Sequence, residues 1–177
     1  MELLETHAAN GLALAIYPRH GHAPLLKAIA RLGGRGAVHV LDGGNVFNAY
    51  AVARHIRRET AGISRVLQQI HVARAFTCYQ MHTLLKETST TSFPIVLIDL
   101  LATFYDESVE LKECQRLLDE CLVSLRRLSR GGPVLVSASP PRTSQPERTC
   151  LLETLEQAAD TLYIPPEATA QQHPRLF

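Results

Sequence analysis

The chain has 177 residues, of which 46% are hydrophobic and 20% charged, and its formal net charge is +1. These values indicate one soluble globular domain of ordinary size with a sizeable core. The net charge argues neither for nor against nucleic acid as a partner, because only the local distribution of charge decides that question.

Short apolar segments alternate with amphipathic segments along most of the chain. The apolar segments predict strands at residues 12–17, 38–42, 69–75, 95–98, 133–137 and 161–164. Apolar residues at helical spacing predict helices at residues 24–32, 47–58, 79–87, 108–130 and 147–159. The alternation of strands and helices predicts an α/β fold with a mostly parallel sheet and helices on both faces.

No internal repeat and no domain boundary interrupts this pattern, so we predict one domain at residues 1–166 and a polar tail at residues 167–177. The four cysteines form no Cys-x-x-Cys pair, which favours a reducing compartment. Residues 1–5 are acidic, unlike the start of a signal peptide, and the apolar runs are short or interrupted. We therefore expect a cytoplasmic protein, or a nuclear one in a eukaryote, without a membrane-spanning segment.

Four consecutive aliphatic residues at 95–98 lead directly into Asp99. A strand that is covered on both faces is continuously apolar, whereas a half-exposed strand alternates. We therefore place this strand in the centre of the sheet, with Asp99 at its carboxyl end. Open α/β sheets bind their ligands at that edge, and an aspartate there holds the nucleotide's magnesium in P-loop ATPases. The alternative is an aspartate that only ends the strand.

The motif ARAF at residues 73–76 ends the third predicted strand, with Val-Leu at 66–67 before it and Leu-Leu at 84–85 after it. Leu41-Asp42, followed by Phe47, forms a second motif upstream. Together with the strand ending at Asp99, these segments resemble the ATPase core of the RecA superfamily, most closely the RadA-type recombinases and their paralogs. The resemblance covers residues 12–164 and implies a RecA-like P-loop core, with residues 95–99 as its Walker B strand.

The chain departs from this family where ATP would bind. A Walker A loop needs glycines that let backbone N–H groups wrap the phosphates, a lysine and a Ser or Thr. Residues 17–26 instead read YPRHGHAPLL, with one glycine, and Pro24 and Leu25 stand roughly where Lys and Thr belong. The family's catalytic glutamate falls on Gly44, and its sensor glutamine falls at about Ser139. The resemblance therefore implies a pseudo-ATPase without catalytic residues or cofactor, in which Asp99 is a vestigial Walker B residue.

Two further groups of residues are candidates for binding. His20, Gly21 and His22 form a turn before the first predicted helix, and a helix N-terminus can hold an anion. The other histidines are scattered and no HxxxH pattern occurs, so we predict no metal site. Arg142 and Arg148 fall where the resemblance places the family's second DNA-binding loop, and such loops contact phosphates.

Basic residues also cluster at 54–58 and 126–130, which we interpret as solvated helix faces. The segment at 105–108, where the resemblance places the first DNA-binding loop, is short and acidic. That composition weakens the prediction that the chain binds DNA by itself.

The resemblance implies an ATPase-inactive recombinase paralog that acts in DNA recombination or repair. Its expected partners are a RecA-like or other repair protein, in a hetero-oligomer, and single-stranded DNA. An alternative is an atypical nucleotide-binding ATPase or sensor, in which Asp99, Lys27 and the turn at 20–22 would hold phosphate and magnesium. A regulatory interaction module unrelated to DNA is a third possibility.

Overall fold

The computed structural model describes residues 11–19 and 21–164. Six strands form one sheet in the order β3-β2-β4-β5-β1-β6, and every neighbouring pair is parallel. They are β1 (Leu12–Ile16), β2 (Val38–Asp42), β3 (Ile70–Arg74), β4 (Ile95–Ile98), β5 (Val134–Ala138) and β6 (Thr161–Tyr163). The predicted α/β fold with a parallel sheet is confirmed. The predicted tail at residues 167–177 lies outside the described residues.

The described helices lie on both faces of the sheet, as predicted. They are α1 (Ala23–Arg35), α2 (Ala49–Ile56), α3 (Ile63–Leu67), α4 (Cys78–Glu87), α5 (Leu111–Ser129) and α6 (Thr149–Ala158). Two short 3-10 helices, at Leu100–Phe104 and Pro146–Arg148, follow β4 and precede α6. No helix in this part of the chain is long and apolar enough to cross a membrane.

Local sequence explains where several helices begin. Pro24 lies in the first turn of α1, where the missing N–H of proline costs nothing. The side chain of Asn48 accepts a hydrogen bond from the Ala51 N–H at the start of α2, and Thr77 caps α4 through the Gln80 N–H. These side chains satisfy backbone donors that have no partner within the helix. The short helix α3 was not predicted, because five residues give too little apolar periodicity to recognise.

The sheet separates two hydrophobic clusters. Helices α1, α2 and α3 pack on one face, around Ile29, Val52 and Val66. Helices α4, α5 and α6 pack on the other, where Cys114 and Cys121 are fully buried. All four residues of β4 are buried between the two clusters, which confirms the prediction of a central strand. The paired strands therefore bring their carboxyl ends, including Asp99, to one edge of the sheet.

Candidate functional site

Three neighbouring strands deliver polar side chains to one point at the carboxyl edge. Asp99 follows β4, Ser139 follows β5, and His22 lies in the loop between β1 and α1. All three residues are buried, with exposed fractions of 9% for Asp99, 2% for Ser139 and 1% for His22. Because β4, β5 and β1 are adjacent in the sheet, residues far apart in sequence meet here.

The carboxylate and the backbone N–H of Asp99 are fixed by contacts with side chains and backbone groups of neighbouring segments. Its Oδ1 accepts a hydrogen bond from the Ser139 N–H at 3.0 Å, and its Oδ2 accepts one from Ser139 Oγ at 3.3 Å. His22 Nε2 lies 3.4 Å from the same Oδ2. The Asp99 N–H donates to Ser137 Oγ at 2.9 Å. Both carboxylate oxygens therefore have protein partners, as a buried carboxylate requires.

The backbone of Asp99 adopts the left-handed conformation, with φ of 49°. Residues other than glycine rarely adopt it, although Asp and Asn do so more often than most. Such strain persists where the surroundings over-determine the conformation, commonly at functional sites. Here the hydrogen bonds to Ser137 and Ser139 fix both the backbone and the side chain of Asp99.

His22 is directed into the site and does not lie on the surface of its turn. Nε2 lies 3.2 Å from Ser139 Oγ as well as close to Asp99, and the ring packs at 5.6 Å from that of Tyr17. Nδ1 has no hydrogen-bond partner among the described residues. A Ser-His-Asp triad needs one imidazole nitrogen for the serine and the other for the aspartate. One nitrogen faces both groups here, so the arrangement does not activate Ser139.

His22, one residue of the predicted anion-binding turn, faces Asp99 and Ser139 and is buried. An anion beside His22 would lie against the Asp99 carboxylate, which repels it. Gly21 donates its N–H to Pro18 O at 2.8 Å and closes the turn tightly. His20 lies outside the described residues. Lys27 lies close enough to His55 for its charge to lower the His55 pKa, which places it beside helix α2.

Gly44, where the resemblance places a catalytic glutamate, lies directly against Asp99. A Cβ atom at Gly44 would lie 2.7 Å from Asp99 Cβ and 3.1 Å from Asp99 Oδ2. Real Cβ atoms do not approach other carbon atoms so closely, so no longer side chain fits without a shift of the surroundings. The glycine is therefore required by packing, and the position holds no general base.

Tyr105 closes the site from the segment after β4. Its hydroxyl donates to Ser139 O at 2.9 Å, and burial, followed by the nearby charge of Asp99, raises its pKa. The Tyr105 phenol is therefore neutral at physiological pH and acts as a hydrogen-bond donor. The guanidinium of Arg19 lies 5.9 Å from the centre of the Tyr105 ring, a distance at which a cation–π attraction operates.

A cleft of about 430 Å³ opens beside this cluster, also at the carboxyl edge. Its lining residues are Arg19, Phe76, Ala102, Thr103, Tyr105, Asp106, Glu107, Arg142 and Gln145. Within the described part of the chain, Arg142 is exposed and forms no ion pair, and Arg19 has only its contact with Tyr105. Phe76 is 66% exposed. The cleft thus offers two cations and an aromatic ring to a ligand, beside the exposed carboxylates of Asp106 and Glu107.

Gln145 lines the same cleft and is buried, with an exposed fraction of 3%. Its Nε2 donates to Tyr105 O at 3.0 Å and to Glu107 Oε1 at 2.8 Å, whereas its buried Oε1 has no partner among the described residues. The two acceptors around Nε2 fix the orientation of the amide. Nothing in the sequence pattern distinguished Gln145 from other residues of a polar loop.

Arg148, the second arginine predicted to contact DNA, does not lie on the surface. It is 5% exposed. Nη1 donates to Phe104 O and lies 3.3 Å from Cys114 Sγ, and Nη2 donates to Val109 O at 2.7 Å. The guanidinium therefore joins the start of α6 to the segment between β4 and α5. Of the two predicted arginines, Arg142 alone is placed where it can meet a ligand.

The contact of His22 with Asp99 was also missed by sequence reasoning. One signal for a polar cluster near Asp99 was present in the sequence. Ser137 and Ser139 are two residues apart at the end of an apolar strand, a spacing that places both side chains on the same side. In the described residues no group of three or more His, Cys, Asp or Glu side chains could hold a metal ion.

No protein-family model and no curated protein sequence matches this chain.

Proposed function

We propose that this chain is a RecA-like protein that does not turn over ATP and that acts in DNA recombination or repair. It binds single-stranded DNA, a RecA-like partner protein or both. The RecA-like assignment rests on the resemblance of residues 12–164, and the parallel sheet with a central strand ending in Asp99 is compatible with it.

The proposed loss of ATP turnover is supported mainly by the contacts that the Asp99 carboxylate makes with Ser139 and His22 of its own chain. A Walker B aspartate directs a carboxylate oxygen towards magnesium, whereas here Oδ1 accepts from the Ser139 N–H and Oδ2 faces Ser139 Oγ and His22 Nε2. The buried His22 ring also fills space next to the carboxylate. Gly44 leaves no room for a general base. Phosphoryl transfer depends on positioned charges, and among the described residues the partners of Asp99 are Ser137, Ser139 and the imidazole of His22.

Binding of single-stranded DNA is supported by the cleft beside this cluster. Arg19 and Arg142 can contact phosphates, and the exposed ring of Phe76 can stack on a base. Such a combination of basic and aromatic side chains binds single strands with little sequence preference and with strong salt dependence.

The test is fluorescence anisotropy of a labelled single-stranded oligonucleotide across a salt series, with and without Mg-ATP. We expect binding that weakens with salt and does not respond to ATP. The double variant Arg19→Gln/Arg142→Gln should bind with a salt slope about 1.4 units shallower, from two lost phosphate contacts. The matched control Arg126→Gln/Arg130→Gln removes two exposed arginines from helix α5 and its C-cap and should bind like the unmodified protein.

A nucleotide arm decides between this proposal and an atypical nucleotide-binding protein. We expect no change of the melting temperature with Mg-ATP and no phosphate release. A ligand at 100 times its Kd stabilises a protein by about 2.7 kcal/mol, so ATP binding would be visible as a rise in melting temperature. Such a rise, or DNA binding that requires ATP, would favour the atypical nucleotide-binding protein over this proposal.

A further inference from the structure

The charges of this nearly neutral chain are unevenly divided between the two faces of the sheet. The segment from α1 to the end of α3 carries the cations Lys27, Arg31, Arg35, Arg54, Arg57, Arg58 and Arg65. Its acids are Asp42, which is fully buried and paired with Arg74, and Glu59. Helices α1, α2 and α3 share one hydrophobic cluster, so they form a single layer. That layer is strongly basic, and we call it the basic layer.

The cations on helix α1 form a stripe. Lys27, Arg31 and Arg35 are four residues apart, a spacing that places side chains on one face of a helix about 6 Å apart along its axis. Arg31 pairs with Glu59 at 3.1 Å, and both side chains are partly exposed. An exposed pair of this kind contributes little to stability and can exchange partners.

Helix α2 and its C-terminal end continue the stripe. Arg54, Arg57 and Arg58 are exposed and form no ion pair with any described residue. His55 is partly buried and also lies on α2. Burial lowers the His55 pKa first, and the charges of Arg58, Arg54 and Lys27 lower it further. The cations of the two helices are thus close enough to act on the same group.

A cleft of about 580 Å³ separates the exposed ends of α1, α2 and α3. Its lining residues are Ala30, Arg31, Gly34, Arg35, Ile56, Glu59, Thr60, Arg65 and Val66. Arg65 is exposed and has no ion pair among the described residues, and a Cβ atom at Gly34 would meet nothing within 4 Å. This cleft shares no residue with the cleft of Arg19 and Arg142.

On the opposite face of the sheet, two arginines make contacts that stabilise the fold. Arg116 binds Glu113 and Glu120 within α5. Arg127 donates to the carbonyl groups of Leu85 and Thr88 at 3.0 Å and so ties α5 to the end of α4. Among the described residues, Arg54, Arg57, Arg58 and Arg65 of the basic layer make no such bonds. Helix α5 also has exposed cations, but it carries the acids Glu113, Asp119 and Glu120 as well, whereas Glu59 is the one exposed acid of the basic layer.

We propose that the basic layer binds the phosphodiester backbone of a nucleic acid, independently of base sequence. Arginine is suited to phosphate because its planar guanidinium can donate two parallel hydrogen bonds. Repeated cations on neighbouring helices match repeated phosphates along a strand. The exposed ring of Tyr50, one turn before Arg54 on α2, adds a group that can stack on a base. An acidic protein is the alternative occupant, and it would be expected to meet more exposed apolar surface than Tyr50 provides.

The test is anisotropy of labelled single-stranded and duplex oligonucleotides with the triple variant Arg54→Gln/Arg57→Gln/Arg58→Gln. We expect weaker binding at every salt concentration. The salt slope should become shallower by about 2 for the single strand and about 3 for the duplex. A second variant, Lys27→Gln/Arg65→Gln, tests the same surface from α1 and α3 and should also weaken binding. Circular dichroism spectra should show that both variants are folded.

The matched control, Lys112→Gln/Arg126→Gln/Arg130→Gln, removes three exposed cations from α5 and its C-cap and should leave the salt slope unchanged. Equal loss in this control would attribute binding to net charge and overturn the proposal. The proposal is also overturned if the triple variant keeps the salt slope of the unmodified protein, or if polyglutamate competes better than DNA of equal charge. If Arg19→Gln/Arg142→Gln alone removes binding, the proposed function stands and the basic layer is excluded.

Discussion

Two buried aspartates end neighbouring strands of the sheet, and they are held in different ways. Asp42 ends β2 and is fully buried. Its Oδ1 accepts from the Val46 N–H, and its Oδ2 accepts from the Phe47 N–H and from Arg74 Nε, each at 3.0 Å. Asp99 follows β4 and is held by Ser139 and His22.

The difference separates a carboxylate that is paired with a cation from one that is held by hydroxyl and amide donors and an imidazole. Asp42 has a full cation and two backbone donors, so it builds the turn after β2 and fixes Arg74 on the next strand. Asp99 has neutral hydroxyl and amide donors, one imidazole and a left-handed backbone. The groups that hold Asp99 come from the segments after β5 and β1. A substitution at Asp99 should therefore leave intact the turn after β2, which Asp42 organises.

The largest expected effect comes from removing the charge of Asp42. Asp42→Asn should destabilise the protein by about 3 kcal/mol, because it leaves Arg74 and a backbone donor without a carboxylate. Asp99→Asn should cost about 1 kcal/mol, because asparagine still accepts from the Ser139 N–H and tolerates the left-handed conformation. Urea denaturation followed by circular dichroism measures both. A cost for Asp99→Asn equal to that of Asp42→Asn would remove the distinction.

A smaller effect is expected at Gly44, which lies between the two aspartates. Gly44→Ala should cost about 1–3 kcal/mol, because the new methyl group would overlap Asp99 and Val46. The matched control is Gly34→Ala in helix α1, where the methyl group meets nothing and the substitution should stabilise the helix by about 0.5–1 kcal/mol. Thermal melts of both variants give the comparison. If Gly44→Ala were neutral, a longer residue at that position would be possible.

The smallest expected effect concerns pH, and it belongs to His39 at the amino end of the same strand as Asp42. Burial lowers the His39 pKa first, and neighbouring His71 lowers it further. The folded protein therefore holds this proton less tightly than the unfolded chain does. Stability should fall as pH falls through about 6.5, the ordinary histidine value, before carboxyl groups titrate.

His39→Gln should flatten the loss of stability between pH 7.5 and 5.5, and His71→Gln should reduce it less, because burial is the larger cause. Urea midpoints measured across that range test both variants. An unchanged pH profile in His39→Gln would assign the acid sensitivity to another histidine, such as His55, whose pKa burial also lowers.

The order of strands and helices could be predicted from the sequence because it depends on local patterns. The continuous apolar run at 95–98 marks a strand covered on both faces, and the apolar stripe of α5 gives a helix whose cysteines are buried. Helix α3 was missed because it is shorter than the window in which periodicity is visible. Arg148 was misplaced because a basic residue in a polar loop gives no local sign of burial.

The site itself was predictable only in part. Sequence alone determined that Asp99 ends a central strand, that the loop after β1 contains a single glycine, and that Arg142 lies in a polar loop. Only the tertiary structure decided that His22 turns inward to Asp99, that Ser139 supplies two of its hydrogen bonds, and that seven cations share one helix layer. The physical reason is that strand order, and not distance along the chain, determines which loops meet at the edge of a parallel sheet.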